Sequence, residues 1–154
     1  MPALERGLAK AGRSRDEIEF VFPSIVAVGD TDEEMDKAVA KLKAHLAFYA
    51  STPDYKMVLE LHGWGDVRER LHRLSREGRW EEMGDLITEE MLDVLSVRGT
   101  TDNMAGRILE RVGGLADRVS FYSSETLSAE RTKHIVDQLK KAKSRAELQA
   151  EHTA

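Results

Sequence analysis

Two apolar runs, separated by a long helical stretch, limit what this chain can fold into. Phe20-Val21-Phe22-Pro23-Ser24-Ile25-Val26-Ala27-Val28 is apolar at nearly every position and shows no polar alternation. Such a run reads as a strand buried on both faces, as in a parallel sheet covered by helices. Arg118-Val119-Ser120-Phe121-Tyr122 reads as a second strand. Pro23 removes one ladder donor, so a bulge or a locally unpaired position is expected there.

The stretch between the runs carries helical spacing throughout. Thr31-Asp32-Glu33-Glu34 reads as a capping box, with the Thr31 hydroxyl on the amide of residue 34 and the Glu34 carboxylate reaching back. Met35, Ala38, Val39, Leu42, Leu46 and Tyr49 then share one helical face. From Pro53 to Leu95 shorter helices follow, one capped by Asp66, one marked by Trp80, Met83, Leu86 and Ile87, one capped by Thr88. Gly99-Thr100-Thr101-Asp102 introduces another, ended by Gly113-Gly114, and Glu125 to Lys143 is spaced for a last helix. Strand, helices, strand in this order predicts a right-handed parallel βαβ unit, with residues 32–112 mostly helical between its strands. Two strands alone leave both outer edges unpaired. Association is therefore expected, with a second copy or with a chain that supplies more strands.

A chain of 154 residues suits one domain, here 1–145, followed by a polar tail at 146–154. The net charge of -5 argues against broad nucleic-acid binding, which needs a basic surface. There is no cysteine, hence no disulfide, thiolate nucleophile or cysteine-bound metal. The first residues, Met1-Pro2-Ala3-Leu4-Glu5-Arg6, carry charge at once and lack the apolar core of a signal peptide. No run approaches the ~20 apolar residues of a membrane span. These features predict a soluble, cytoplasmic domain without a membrane partner.

Chemistry-bearing patterns are sparse. The five histidines make no metal-binding spacing, and no metal site is expected. His62, in Leu61-His62-Gly63-Trp64-Gly65, lies closest to a ligand-like setting, although a structural turn histidine accounts for it more simply. Gly63-Trp64-Gly65 follows no strand and lacks a third glycine, so it is no dinucleotide loop. Serines 120, 123 and 124 have no His–Asp arrangement beside them in the sequence. The acid pairs Glu33-Glu34, Glu81-Glu82 and Glu89-Glu90 sit at helix starts, where they complement the dipole. These residues alone define no active site.

Several segments, in order, resemble the C-terminal part of luciferase-like monooxygenases and their deazaflavin-dependent branch. They are Leu8-Ala9-Lys10-Ala11-Gly12-Arg13, then Phe20–Val28 followed by Gly29-Asp30-Thr31-Asp32-Glu33-Glu34. The most distinctive is Ala47-Phe48-Tyr49-Ala50-Ser51-Thr52-Pro53-Asp54-Tyr55 with Leu59-Glu60-Leu61-His62-Gly63-Trp64-Gly65. Arg98-Gly99-Thr100-Thr101-Asp102-Asn103-Met104-Ala105 resembles a helix start of the family, with Thr101 where proline is usual. Gly114-Leu115-Ala116-Asp117-Arg118-Val119-Ser120-Phe121-Tyr122 resembles its eighth strand.

The resemblance implies a predominantly helical α/β chain, the C-terminal portion of a (β/α)8 TIM barrel, contributing two parallel strands and a helical insertion. A complete barrel of this kind needs about 250 residues. The family binds FMN or the deazaflavin F-420 at the C-terminal mouth of the barrel and transfers hydride or activates oxygen. By that analogy Gly29, Asp30, Tyr122 and Ser123, at the strand ends, are the candidate cofactor contacts, and His62 and Trp64 the candidate substrate contacts. No catalytic residue carries over. Two functions follow: an oxidoreductase part, inactive without the remaining strands, or a non-catalytic helical binding or assembly module.

Overall fold

The computed structural model describes residues 2–142, so the tail expected at 146–154 lies outside the described residues. Helix α1, Pro2–Ala11, stops at Gly12, whose φ of 64° is the left-handed turn that glycine adopts without steric cost. Strand β1 is Val21–Val28. Helix α2, Asp32–Ser51, starts as its sequence dictates: the Glu34 amide donates to Thr31 Oγ1 at 3.2 Å. The Glu34 carboxylate also reaches back, but to the amide of Asp30 at 2.9 Å, one residue before the cap.

Short helical pieces follow. They are α3 (Lys56–Leu61), α4 (Gly65–Arg76) and α5 (Glu89–Leu95), with 3-10 turns at Pro53–Tyr55, Trp80–Glu82 and Gly84–Leu86. The helix expected around Trp80–Ile87 is two such turns, because Gly84 interrupts a run too short to propagate. Asp66 lies in the first turn of α4 rather than at its cap, and acts there on the helix dipole. Thr88 caps α5, its Oγ1 accepting from the Met91 amide.

The described residues contain a third strand within the stretch expected to be helical. β2 is only Val97–Gly99, followed by α6 (Met104–Val112), β3 (Arg118–Ser123) and α7 (Ala129–Lys141). The sheet order is β2-β1-β3, and both pairings are parallel. β1 and β3 run side by side from Val21↔Arg118 to Val26↔Ser123. The register passes unbroken through Pro23↔Ser120, so no bulge forms. β2 joins β1 only from Val26 onward, which leaves β1 open on that side at Pro23, where a sheet tolerates proline. At the strand starts Asp117 Oδ2 accepts from the Phe20 amide at 2.8 Å and from Arg15 at 2.5 Å, tying β1 to β3.

Alternation divides the sheet into two faces. Ile25 and Ala27 pack with α2, α4 and α5 in one core that includes Leu42, Leu46, Leu71, Met91 and Leu92. Phe22, Val26 and Val28, with Val119 and Phe121 of β3, pack with α6 and α7 in a second core around Met104, Ile108 and Ile135. The result is three layers: helices, sheet, helices. This follows from the path of the chain. The crossover from β1 to β2 runs one way along the sheet and that from β2 to β3 runs the other way. Right-handed crossovers in opposite directions lie on opposite faces. Among the described residues, the chain's own helices thus pack on both faces of its sheet, although Tyr122 of β3 stays half-exposed. No helix among the described residues is long and apolar enough to cross a membrane.

Candidate functional site

The C-terminal ends of the parallel strands gather a set of charged and hydroxyl groups. Asp30, two residues after β1, accepts from the Thr101 amide at 2.6 Å and from the Thr101 hydroxyl at 2.8 Å. Arg131 of α7 reaches the same carboxylate at 2.9 Å and that of Glu34 at 2.7 Å. The Thr101 amide is the first cause holding the Asp30 carboxyl below its ordinary range, with the Thr101 hydroxyl and Arg131 adding to it. Glu34 is lowered by the Asp30 amide first and by Arg131 next, and Arg131 is raised in return, mainly by Glu34. Both acids are ionised at neutral pH, and the single Arg131 guanidinium offsets one of their two negative charges.

Two glycines let the backbone close this end of the sheet. A Cβ on Gly29 would overlap the backbone of Met35, and one on Gly99 would overlap the Asn103 carboxamide oxygen. With both absent, the Gly29 amide donates to the Gly99 carbonyl at 3.1 Å, and Asn103 Oδ1 takes the Thr100 amide at 2.9 Å. Gly29 therefore has an intramolecular reason to be glycine.

The other residues singled out from sequence fall into different surroundings. The Ser123 hydroxyl accepts from the Glu125 amide at 3.2 Å, while the next residue, Ser124, has a buried hydroxyl without a hydrogen-bond partner among the described residues. Sequence reading passed over Ser124 as a ligand contact, and its place just beyond β3 was the available signal. Tyr122 belongs to the face turned toward α2, where its ring meets His45 with centroids 4.9 Å apart. His62 stacks on Trp64 at 4.7 Å and 21°, and Trp64 is buried in the core of the helical layer while His62 is exposed. That pair caps a core.

Beside the strand ends, an open hollow of about 570 Å³ runs along the outer edge of β2. Its arginines are largely engaged: Arg98 pairs with Glu89 and Asp93, and Arg111 donates to the carbonyls of Asp93, Val94 and Ser96 at the end of α5. Among the described residues no group of three or more His, Asp or Glu gathers as a metal site would require.

Comparison with known proteins places this architecture. The luciferase-like monooxygenase family matches residues 1–118. An uncharacterized protein of Mycobacterium tuberculosis is 48% identical over 119 residues, which are 77% of this chain and 35% of that protein. The 5,10-methylenetetrahydromethanopterin reductase of Archaeoglobus fulgidus is 36% identical over 113 residues, 70% of this chain and 32% of the reductase. The same reductase from Methanopyrus kandleri is 30% identical over 112 residues, 71% of this chain and 31% of the enzyme. No solved structure matches. The chain thus spans about a third of the length of each of these relatives. With the family match extending over residues 1–118, most of its length, this chain belongs to the luciferase-like monooxygenase family.

Proposed function

We propose that this chain supplies the closing strands of a luciferase-like barrel whose complete form is an F-420-dependent oxidoreductase, and that it is inactive without the remaining strands. The observation that carries the reading is the parallel pairing of β1 with β3, with the loops after both strands at one end of the sheet. Barrel enzymes place their chemistry beyond that end. The similarity to two methanopterin reductases favours hydride transfer, and with it the deazaflavin over FMN.

The residues present fit such a cofactor in part. The Ser124 hydroxyl, buried without a partner, is a group left for a ligand to satisfy. Both Asp30 oxygens are engaged, by Thr101 and Arg131, so its part is to hold the loop after β1 against α6 and α7. When bound, the cofactor would supply the hydride. The chain would contribute part of the wall at the mouth: Gly29 and Asp30 on one loop, Ser123 and Ser124 on the other. Tyr122, whose ring turns toward α2, would face the barrel interior.

Handedness supports that last assignment. A barrel advances in one direction, and the advance from β1 to β3 places right-handed helices on the face where α6 and α7 lie. That face would be the outside. The face bearing Ile25, Ala27 and Tyr122 would turn inward, and α2 must leave it when the barrel closes.

A second reading has its own observation. Because α2–α5 and α6–α7 cover both faces of the sheet, the chain has the cores of a self-sufficient assembly module without chemistry. Spectroscopic titration with F-420 and with FMN separates the two. It is run on this chain and on a chimera carrying residues 1–142, through β3 and α7, in place of the corresponding segment of the full-length Mycobacterium tuberculosis relative. The expected result is F-420 binding by the chimera and none by the chain alone. A folded chimera that fails to bind F-420, while the parent relative binds it, would overturn the proposal.

A further inference from the structure

Between the sheet and helices α2 and α3 lies a cavity of about 310 Å³. Ile25 and Tyr122 form its floor, His45 and Tyr49 one wall, and Tyr55 and Val58 the other. Among the described residues no Asp, Glu, Lys or Arg lines it. Its rings are arrayed around one another: His45 meets Tyr49 edge-on at 4.7 Å and Tyr122 at 4.9 Å, and Tyr49 meets Tyr55 at 5.2 Å.

Within this apolar wall one polar atom is unaccounted for. His45 Nε2 is buried and has no hydrogen-bond partner among the described residues. Burial lowers the pKa of His45, so the imidazole is neutral at pH 7 and its Nε2 is a donor or an acceptor according to tautomer. Burial, and then the neighbouring Tyr49, raise the Tyr122 phenol, which stays protonated. A half-enclosed aromatic cavity with one unsatisfied polar atom and no charge is the usual composition of a small-molecule site.

We propose that this cavity binds an uncharged, planar aromatic molecule bearing one hydroxyl or ring N–H, packed against the tyrosines and hydrogen-bonded to His45 Nε2. The inference concerns the chain as it folds here and does not rest on the barrel reading. Charged ligands are excluded because nothing in the lining would offset the loss of their hydration. A purely apolar ligand would leave Nε2 unsatisfied, so the hydrogen-bonding group sets the preference.

The test titrates the full chain with 2-naphthol, naphthalene and 2-naphthoate, following ligand fluorescence and the imidazole 15N resonances. The expected order is 2-naphthol tightest, naphthalene about tenfold weaker, as for one lost hydrogen bond, and 2-naphthoate without binding. The His45 Nε2 resonance moves with 2-naphthol only. His45→Phe keeps the ring and abolishes the preference of 2-naphthol over naphthalene. Tyr122→Leu, at a half-exposed wall position that folding tolerates, weakens both neutral ligands. Equal binding of 2-naphthol and naphthalene, an unmoved Nε2 resonance, or an unchanged preference in folded His45→Phe would overturn the proposal. So would a dimer in sedimentation that Tyr122→Leu dissolves and 2-naphthol leaves intact, since a second copy would then be the occupant.

Discussion

Asp30 and Thr101, seventy-one positions apart, are joined by two hydrogen bonds, one from the Thr101 amide and one from its hydroxyl. Proline, the residue the resemblance to the family leads one to expect at position 101, has neither donor. The departure from the family pattern therefore creates the contact that ties the loop after β1 to the start of α6. Thr101→Pro is expected to cost about 1.5–2 kcal/mol, the lower half of the range for a charged acceptor because the pair is partly exposed. Thr101→Val, which keeps the amide, should lose about half as much. Urea unfolding measures both, and repeating Thr101→Pro in an Asp30→Ala background isolates the pair. If the cost is the same in both backgrounds, the contact is not its source.

The same cluster makes stability sensitive to acid. Asp30 and Glu34 have folded pKa values below their ordinary ones. Their contribution is thus fully present above the unfolded carboxylate pKa and is lost as pH falls through the folded one. Between about pH 5 and pH 3 the urea midpoint of the native chain is expected to fall. In an Asp30→Asn, Glu34→Gln variant the fall should be shallower. It should not vanish, because Glu82, Glu89 and Asp137 are also lowered by their own cationic partners. An equally steep profile in the variant would remove this cluster from the acid response.

Much of this arrangement is legible in the sequence, and what is not has a physical reason. Phe20–Val28 and Arg118–Tyr122 announce themselves because each is long enough to show a burial pattern, and they pair as parallel neighbours. β2 does not, since Val97-Arg98-Gly99 is too short for any periodicity and gains strand geometry only by lying against Val26–Val28. It also reverses the direction of the crossover and so creates the second helical layer. The cap at Thr31 is local and readable. The Asp30–Arg131 pair and the His45–Tyr122 ring contact are not, because they span about a hundred and about eighty residues and depend on which face each element presents. Trp64, a candidate substrate contact by resemblance, illustrates the same limit: nothing in its local sequence shows that its ring packs in the core of the helical layer.

Glycine substitutions offer a paired test of the strand-end packing. Gly29→Ala would place a methyl group in the backbone of Met35, and the start of α2 would have to move. A cost of about 2–4 kcal/mol is expected, as for overpacking against a part that cannot yield. Gly106→Ala, in the interior of α6 with open space around it, should instead stabilise by up to about 1 kcal/mol through helix propensity. Thermal unfolding of both variants reads the two signs directly. A neutral Gly29→Ala would mean that α2 does not begin against β1 as described.

The handedness argument leads to a prediction about movement. In the chain as described, α2 covers the sheet face that bears Tyr122, with the His45 and Tyr122 rings 4.9 Å apart. If β1 and β3 join further strands in a barrel, right-handed connections put that face inside, and α2 has to swing off it about the Gly29–Thr31 loop. The sequence contains no cysteine, which makes the movement easy to follow. With His45→Cys and Tyr122→Cys, a short thiol-specific bifunctional reagent such as dibromobimane should link the two positions readily in the isolated chain. Carried into the full-length chimera, the same two cysteines should link slowly or not at all, and linking beforehand should prevent F-420 binding. Equal linking in both, with cofactor binding retained by the linked chimera, would show that α2 stays on this face, and the inward assignment of Tyr122 would be wrong.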